Sequence, residues 1–233
     1  MWILSSRRPP CSELTFPTSD TYFEGVQYRL PQHPVIEAYV RPKLDYMGKT
    51  IPLSETTTVL DVGCGNGIFT YYFASRCRRV TGIDSSRNML SQNPCSNVIL
   101  SDASVLPFWA ATFDLVFEAN LLHHVKNRLK VVKEMARVSR RSVVLIEPNH
   151  YNPLMLGFGI VVAAERGLLN STRKSNLKLR KMAGVKPVSA MITGLISQNN
   201  TPEFMLPFLK RFDREVWYGE YVVLIGEKVH ADA

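Results

Sequence analysis

From Thr57 onward the chain alternates short apolar runs with stretches of helical spacing. TVLDVG, RVTGID, NVILSD, FDLVFEA and SVVLIEP are rich in Val, Ile and Leu and close at or beside Gly, Asp, Glu or Asn, which predicts five buried strands. Between them the spacing predicts helices near 67–77, 86–92 and 126–139. Upstream, Val35, Ile36, Tyr39, Val40, Leu44 and Met47 recur at helical spacing and predict a helix from about Pro34 to Met47. Near-continuous apolar strands joined by helical crossovers imply a parallel sheet covered on both faces. After Pro148 the alternation stretches out: an apolar segment (154–164), a helix near 172–183, a sixth strand in VKPVSAMIT, helix over most of Thr201–Trp217, and a final strand in GEYVVLIGEK. The predicted fold is α/β, a doubly wound, seven-stranded, mostly parallel sheet.

Charge sharpens one region of this picture. The chain has 28 Lys+Arg against 20 Asp+Glu, a net charge of +8. Seven basic residues and no acid lie between Arg166 and Lys186; without them the chain is close to neutral. A nucleic-acid-binding domain usually carries a broad basic stripe, so one local tract argues against nucleic acid as a partner. The four cysteines form no CxxC pair and have no zinc-ligand spacing, which fits a reduced, cytoplasmic setting. MWILSSRRPP has too short an apolar stretch for a signal peptide. The longest apolar run, Leu154 to Ala164, has 11 residues, against roughly 20 for a membrane span, so the chain reads as soluble.

In an open parallel sheet, ligands bind beyond the carboxyl ends of the strands. There the first strand ends in Asp61-Val62-Gly63-Cys64-Gly65-Asn66-Gly67. Gly63 and Gly65 let the backbone turn tightly and approach a ligand. The pattern is one residue shorter than the dinucleotide GxGxxG, and alone it also fits a structural tight turn. Asp84 closes the second strand, 21 residues after Gly63, where a carboxylate can accept both hydroxyls of a ribose. Asp102 closes the third, where it could accept from an exocyclic amine. Each also fits an ordinary strand-end turn or N-cap; all three in register are harder to assign to coincidence.

VLDVGCGNGIFT, GIDSS, SDASVLPF and FDLVFEANLLHHV together resemble the class I S-adenosylmethionine-dependent methyltransferases, in their small-molecule branch. The resemblance covers about Thr57 to Asn149, and more weakly the final strand. It implies a Rossmann-like methyltransferase fold with S-adenosyl-L-methionine as cofactor. The Gly63–Gly67 loop, with Cys64, Gly65 and Asn66, then lies under the methionine part and ribose, with Asp61 behind it. Asp84 takes the ribose hydroxyls, Ser85 and Met89 flank the adenine, Asp102 and Ala103 hold its edge, and Asn120 lies near the sulfonium. The chain divides accordingly into an N-terminal lid and helical segment (1–55), a cofactor-binding core (56–148), an acceptor-side insertion (149–218) and a final strand and tail (219–233), all in one domain.

Methyl transfer needs alignment and a dry site, and a hydroxyl acceptor gains from a general base near neutral pKa. His123 and His124 follow the fourth strand, at the mouth of the expected site, and suit that role by type. The family often packs a His at the second position, so His123 is the candidate base or substrate contact and His124 the structural one; a packing role fits His123 too. Metal-dependent quinone O-methyltransferases, similar in this stretch, carry acids where Asn120 and His123 stand, so no metal is indicated. Glu147, Asn149, His150 and Tyr151 are expected to line the acceptor side, although Glu147 also fits a supporting hydrogen-bond role and His150 a plain loop position. Tyr22, Phe23 and Tyr28 resemble a lid that folds over the cofactor, and equally fit core or surface aromatics.

The expected acceptor is small or lipid-like, methylated at oxygen or else at carbon or nitrogen. Lys174, Lys178 and Lys181 fall along one face of the 172–183 helix; beside the apolar segment they suit an anionic acceptor or peripheral contact with an anionic membrane, or form a solvated helix face. Base N-methylation is disfavoured because ANLLHH lacks the proline-containing motif such enzymes carry after strand four. A binding protein with this fold but no turnover remains a distinct reading. An NAD-linked reductase fits less well, because the glycine spacing is wrong and no second nucleotide half follows.

Overall fold

The apolar runs form neighbouring strands of a single sheet. In the computed structural model, which describes residues 28–162, 167–169, 172–213 and 215–229, these are β1 (Thr58–Val62), β2 (Arg79–Asp84), β3 (Val98–Leu100), β4 (Phe113–Ala119), β5 (Ser139–Pro148), β6 (Val185–Thr193) and β7 (Tyr221–Lys228). Their order is β3-β2-β1-β4-β5-β7-β6. Strands β1 to β5 are parallel neighbours, while β7 runs antiparallel to both β5 and β6. The order reverses between β1 and β4, so the crevice at the carboxyl ends opens between the Gly63 loop and Asn120.

Seven helices accompany the described strands: α1 (Pro34–Thr50), α2 (Ile68–Ala74), α3 (Arg87–Ser91), α4 (Arg128–Val138), α5 (Pro153–Val161), α6 (Arg173–Met182) and α7 (Leu206–Phe212). Local chemistry sets their starts. His33 Nδ1 accepts from the Val35 amide ahead of α1, with Pro34 in the first turn where no N–H is needed. Thr172 and Ser175 cap α6 reciprocally. Helices α1, α2 and α7 cover one face of the sheet through Tyr39, Phe69, Phe73 and Leu206 packed on Phe117, Val144, Ile146 and Tyr221. Helix α4, with Met135 and Val132, covers the other face against Leu60, Val116, Leu145 and Val222, and α6 adds Leu177 there.

The helix expected over most of Thr201–Trp217 is shorter. A 3-10 turn (Glu203–Met205) leads into α7, which stops at Phe212. There the Asp213 carboxylate accepts from the Leu195 amide at 3.0 Å, a contact between segments that periodicity does not show. Of the 154–164 apolar segment, the described part is α5. Among the described residues, no helix is long and apolar enough to cross a membrane.

Candidate functional site

The loop after β1 is held by the neighbouring strand. The amides of Gly63 and Cys64 both donate to the Ile83 carbonyl at 2.8 Å. Gly63, Gly65 and Gly67 have φ of 73°, 51° and 85°, a left-handed backbone that side chains disfavour. A Cβ on Gly65 would sit 3.0 Å from Met89 Cε, and one on Gly67 only 2.3 Å from Asn93 Oδ1. Asp84 reaches this loop directly: its Oδ2 accepts from the Gly65 amide at 2.9 Å and its Oδ1 from the Ser86 amide at 2.8 Å. Ser85 and Met89 follow, both half-buried. Asn66 is buried and donates to the Arg29 carbonyl, joining the loop to the segment before α1.

Asp61 lies behind this turn, where its Oδ2 accepts from Thr70 Oγ1 at 2.7 Å. Burial pushes its carboxyl up to about 7; the Thr70 hydrogen bond opposes this and the Asp84 charge adds to it. Asp102 is exposed and accepts from its own Ser104 amide at 2.7 Å, while Ala103 is buried behind it.

A second cluster fixes the segment after β4. Asn120 is left-handed at φ 58°, its amide donates to the Ile146 carbonyl at 2.8 Å, and its Nδ2 donates to the Tyr39 hydroxyl at 3.0 Å. Two carboxylates accept successive amides just beyond: Glu118 Oε2 from Leu121 at 3.2 Å and Glu147 Oε1 from Leu122 at 2.8 Å. Glu147 Oε2 also lies 3.1 Å from His123 Nδ1 and 3.8 Å from Arg128. Burial pushes both carboxyls up. In Glu147, His123, Arg128 and the Leu122 amide outweigh it and hold the group below the usual range. Glu118 has only the Leu121 amide and the more distant Arg128 against burial and the Glu147 charge, so it rises well above that range.

This geometry revises several expectations. His123, expected at the mouth, is drawn inside with its side chain 3 % exposed, because the buried Glu147 takes it as a partner; His124 is the exposed one. Glu147 points inward to the same cluster instead of lining an open acceptor face. Asn149 is fully buried: its Nδ2 donates to the Trp217 and Gly219 carbonyls, so it holds the approach to β7. His150 is half-buried and Tyr151 is exposed. Tyr28 is half-buried; Tyr22 and Phe23 lie outside the described residues.

The sequence reading missed Glu118, Tyr39, Asn93 and Arg128. Glu118 had a signal, being an acid inside the apolar run FDLVFEA; the others are joined by the fold alone. It also missed Lys43, wholly buried beside this cluster, whose Nζ stands 3.7 Å from the Tyr39 ring centroid and 4.6 Å from that of Tyr221. Burial lowers its amine to about 7 against the pull of Asp213 and Glu220. Among the described residues, no group of three or more His, Cys, Asp or Glu is placed to hold a metal. A groove of about 350 Å³ lined by Glu37, Ala38, Arg41, Pro42, Lys210 and Asp213 shares no lining residue with the strand-end site.

Residues 60–146 match the family model described as methyltransferase domain. An uncharacterised methyltransferase of Schizosaccharomyces pombe is 39 % identical over 104 residues, 40 % of this chain and 39 % of that protein. A phosphatidylethanolamine N-methyltransferase of Cereibacter sphaeroides is 35 % identical over 103 residues, 40 % of this chain and 50 % of that protein. The chain thus spans half or less of the length of these curated relatives. A solved SAM-dependent methyltransferase of Thermotoga maritima superposes with a TM-score of 0.63 at 16 % identity, covering 84 % of this chain and 91 % of the other, which is a likeness of fold.

Proposed function

We propose that residues 60–146, which match a methyltransferase domain model, form a class I S-adenosylmethionine-dependent methyltransferase domain, and that the chain moves the methyl of S-adenosyl-L-methionine onto a small-molecule or lipid-like acceptor, at oxygen or else at carbon or nitrogen. The observation that carries the reading is the left-handed Gly63–Gly67 loop pinned to Asp84. With no side chain at Gly63, Gly65 or Gly67 and those of Cys64 and Asn66 buried, the backbone lies bare over the sheet's switch point, beside a carboxylate able to take further hydrogens from a ribose. Cys64 and Asn66 complete the loop; with the cofactor bound, Ser85 and Met89 would hold the adenine, with Asp102 and Ala103 at its edge, and Asn120 would serve the methionine end.

When bound, the cofactor supplies an electrophilic methyl on a sulfonium. The chain's own residues align, dry and deprotonate. Tyr39 fixes the Asn120 amide, and the paired carboxylates of Glu118 and Glu147 fix the backbone that follows it. Glu147 orients His123 by accepting from Nδ1–H, so that Nε2 is the nitrogen that takes the acceptor's hydroxyl proton. The lipid-like acceptor draws support from the phosphatidylethanolamine-methylating relative. The burial of His123 favours a second reading, a protein that binds the cofactor without turnover.

Calorimetry with S-adenosylhomocysteine and with NAD, followed by incubation with methyl-labelled cofactor and extracts of lipids and small metabolites, tests both. Binding of S-adenosylhomocysteine alone, with label entering an extracted product, is the expected result. Binding without transfer selects the silent reading, and no binding removes both.

A further inference from the structure

The basic insertion after β5 does not stand apart from the reaction cluster. Two of its described parts, a 3-10 turn at 167–169 and helix α6, come down on the segment that carries His123 and Arg128. A Cβ built on Gly167 would overlap the His123 carbonyl oxygen outright and stand 2.7 Å from the carbonyl carbon. Only a residue without a side chain lets two backbones meet this closely. Leu168, the next residue, is 3 % exposed, so the turn is anchored in the protein and has little room to retreat.

The second contact is polar. Asn176, wholly buried on α6, accepts from Arg128 Nη2 at 2.9 Å through its Oδ1. The reciprocal cap of Thr172 and Ser175 fixes the first turn of the helix that presents it. Arg128 in turn stands 3.8 Å from Glu147 Oε2, the oxygen that lies 3.1 Å from His123 Nδ1. The insertion therefore acts on His123 at two points. Gly167 meets its peptide, and Asn176 reaches its ring through Arg128 and Glu147. Lys174, Lys178 and Lys181, on the same helix, are exposed and take no part in either contact.

We propose that Gly167 and Asn176 are positioning residues for methyl transfer: they clamp the insertion onto the segment between β4 and α4 and hold His123 with Nδ1 on Glu147 and Nε2 left for the acceptor. A histidine ring turns about two side-chain bonds, and a base must keep its nitrogen within hydrogen-bond reach of the proton it takes. A displacement of about 1 Å can cost a hundredfold in rate. A side chain at position 167 must lift the turn or push the His123 peptide, and a pushed peptide draws Nδ1 away from Glu147. Loss of the Asn176 carbonyl frees Arg128 to leave Glu147, with the same consequence for the ring. The inference rests on His123 as the base and adds the residues of the insertion that set it.

Nitrogen NMR of the imidazole rings in the full chain tests it, with the His123 signals identified by their loss in His123→Gln. The neutral ring is expected to carry its proton on Nδ1 and to leave Nε2 bare. In Gly167→Ala and in Asn176→Ala the two nitrogen signals should move toward each other as the tautomers mix. Transfer of labelled methyl into the lipid and metabolite extract should slow about ten- to a hundredfold, while S-adenosylhomocysteine affinity stays unchanged by calorimetry. Where Gly167→Ala proves too unstable, Asn176→Ala, which inserts nothing, carries the test. Replacing Lys174, Lys178 and Lys181 by Gln should alter neither the signals nor the transfer. A wild-type ring protonated on Nε2, signals unmoved in either folded variant, or equal movement in the lysine variant would each overturn the proposal. Moved signals with full methyl transfer would instead overturn the base role of His123.

Discussion

Replacing Gly67 by Ala should destabilise the chain in a way that depends on one neighbour, Asn93. Gly67 is left-handed, and a side chain there costs about 1–2 kcal/mol in backbone strain. The new Cβ would also fall 2.3 Å from Asn93 Oδ1, so the Asn93 side chain must leave. It then gives up its bonds to the Cys95 amide at 2.9 Å and the Gly65 carbonyl at 3.2 Å, about 1 kcal/mol each. Gly67→Ala should therefore cost about 3–4 kcal/mol, and Asn93→Ala alone about 2 kcal/mol. In the double variant the clash is already gone and the bonds already lost, so only the backbone strain is added. Its total should stay near 3–4 kcal/mol, about 2 kcal/mol less than additive single effects. Urea denaturation of the four proteins, followed by circular dichroism, measures this coupling. Additive effects would refute the claim that Asn93 closes the space beside Gly67.

Other outcomes follow from the same contacts. Asp84→Asn should weaken S-adenosylhomocysteine binding about ten- to a hundredfold by calorimetry, with the fold intact; unchanged affinity would remove Asp84 from the cofactor site. His123→Gln should slow methyl transfer about a hundredfold or more while leaving that affinity unchanged, whereas full activity would deny it the base role. Asp61 is raised to about 7, so the folded protein keeps a proton that the unfolded chain loses above its own lower pKa. Its contribution to stability is present at low pH and is lost as pH rises from about 4 toward 7; Asp61→Asn should flatten the unfolding midpoint of the cofactor-free protein across that window. Arg180 is wholly buried with no partner for its three guanidinium nitrogens among the described residues. Arg180→Met should raise stability by about 1–4 kcal/mol, and a fall in the midpoint would mean the guanidinium has a counter-charge.

The parts legible in the sequence were those written locally. Leu60, Val116 and Val144 sit in runs whose composition alone specifies buried strands, and Gly63, Gly65 and Gly67 stand where only a left-handed turn uses three glycines. The partnership of His123 with Glu147 was not legible, because two residues 24 positions apart meet only when β5 pairs with β4. The burial of Lys43 had the same cause: its cage is half from α1 and half from the start of β7. The end of α7 at Phe212 followed from Asp213 meeting Leu195, while the apolar spacing runs on without a break.

Cys64 lies in the middle of the proposed cofactor loop, its sulfur packed into the space that Gly82 leaves open. Burial, with the nearby Asp61 and Asp84 charges, pushes its thiol up, so little thiolate exists at neutral pH. A mild alkylating reagent added to the native protein should therefore modify this sulfur only in molecules whose loop has come away from β2. The rate of that modification becomes a clock for loop opening, and a ligand that fills the turn should slow it.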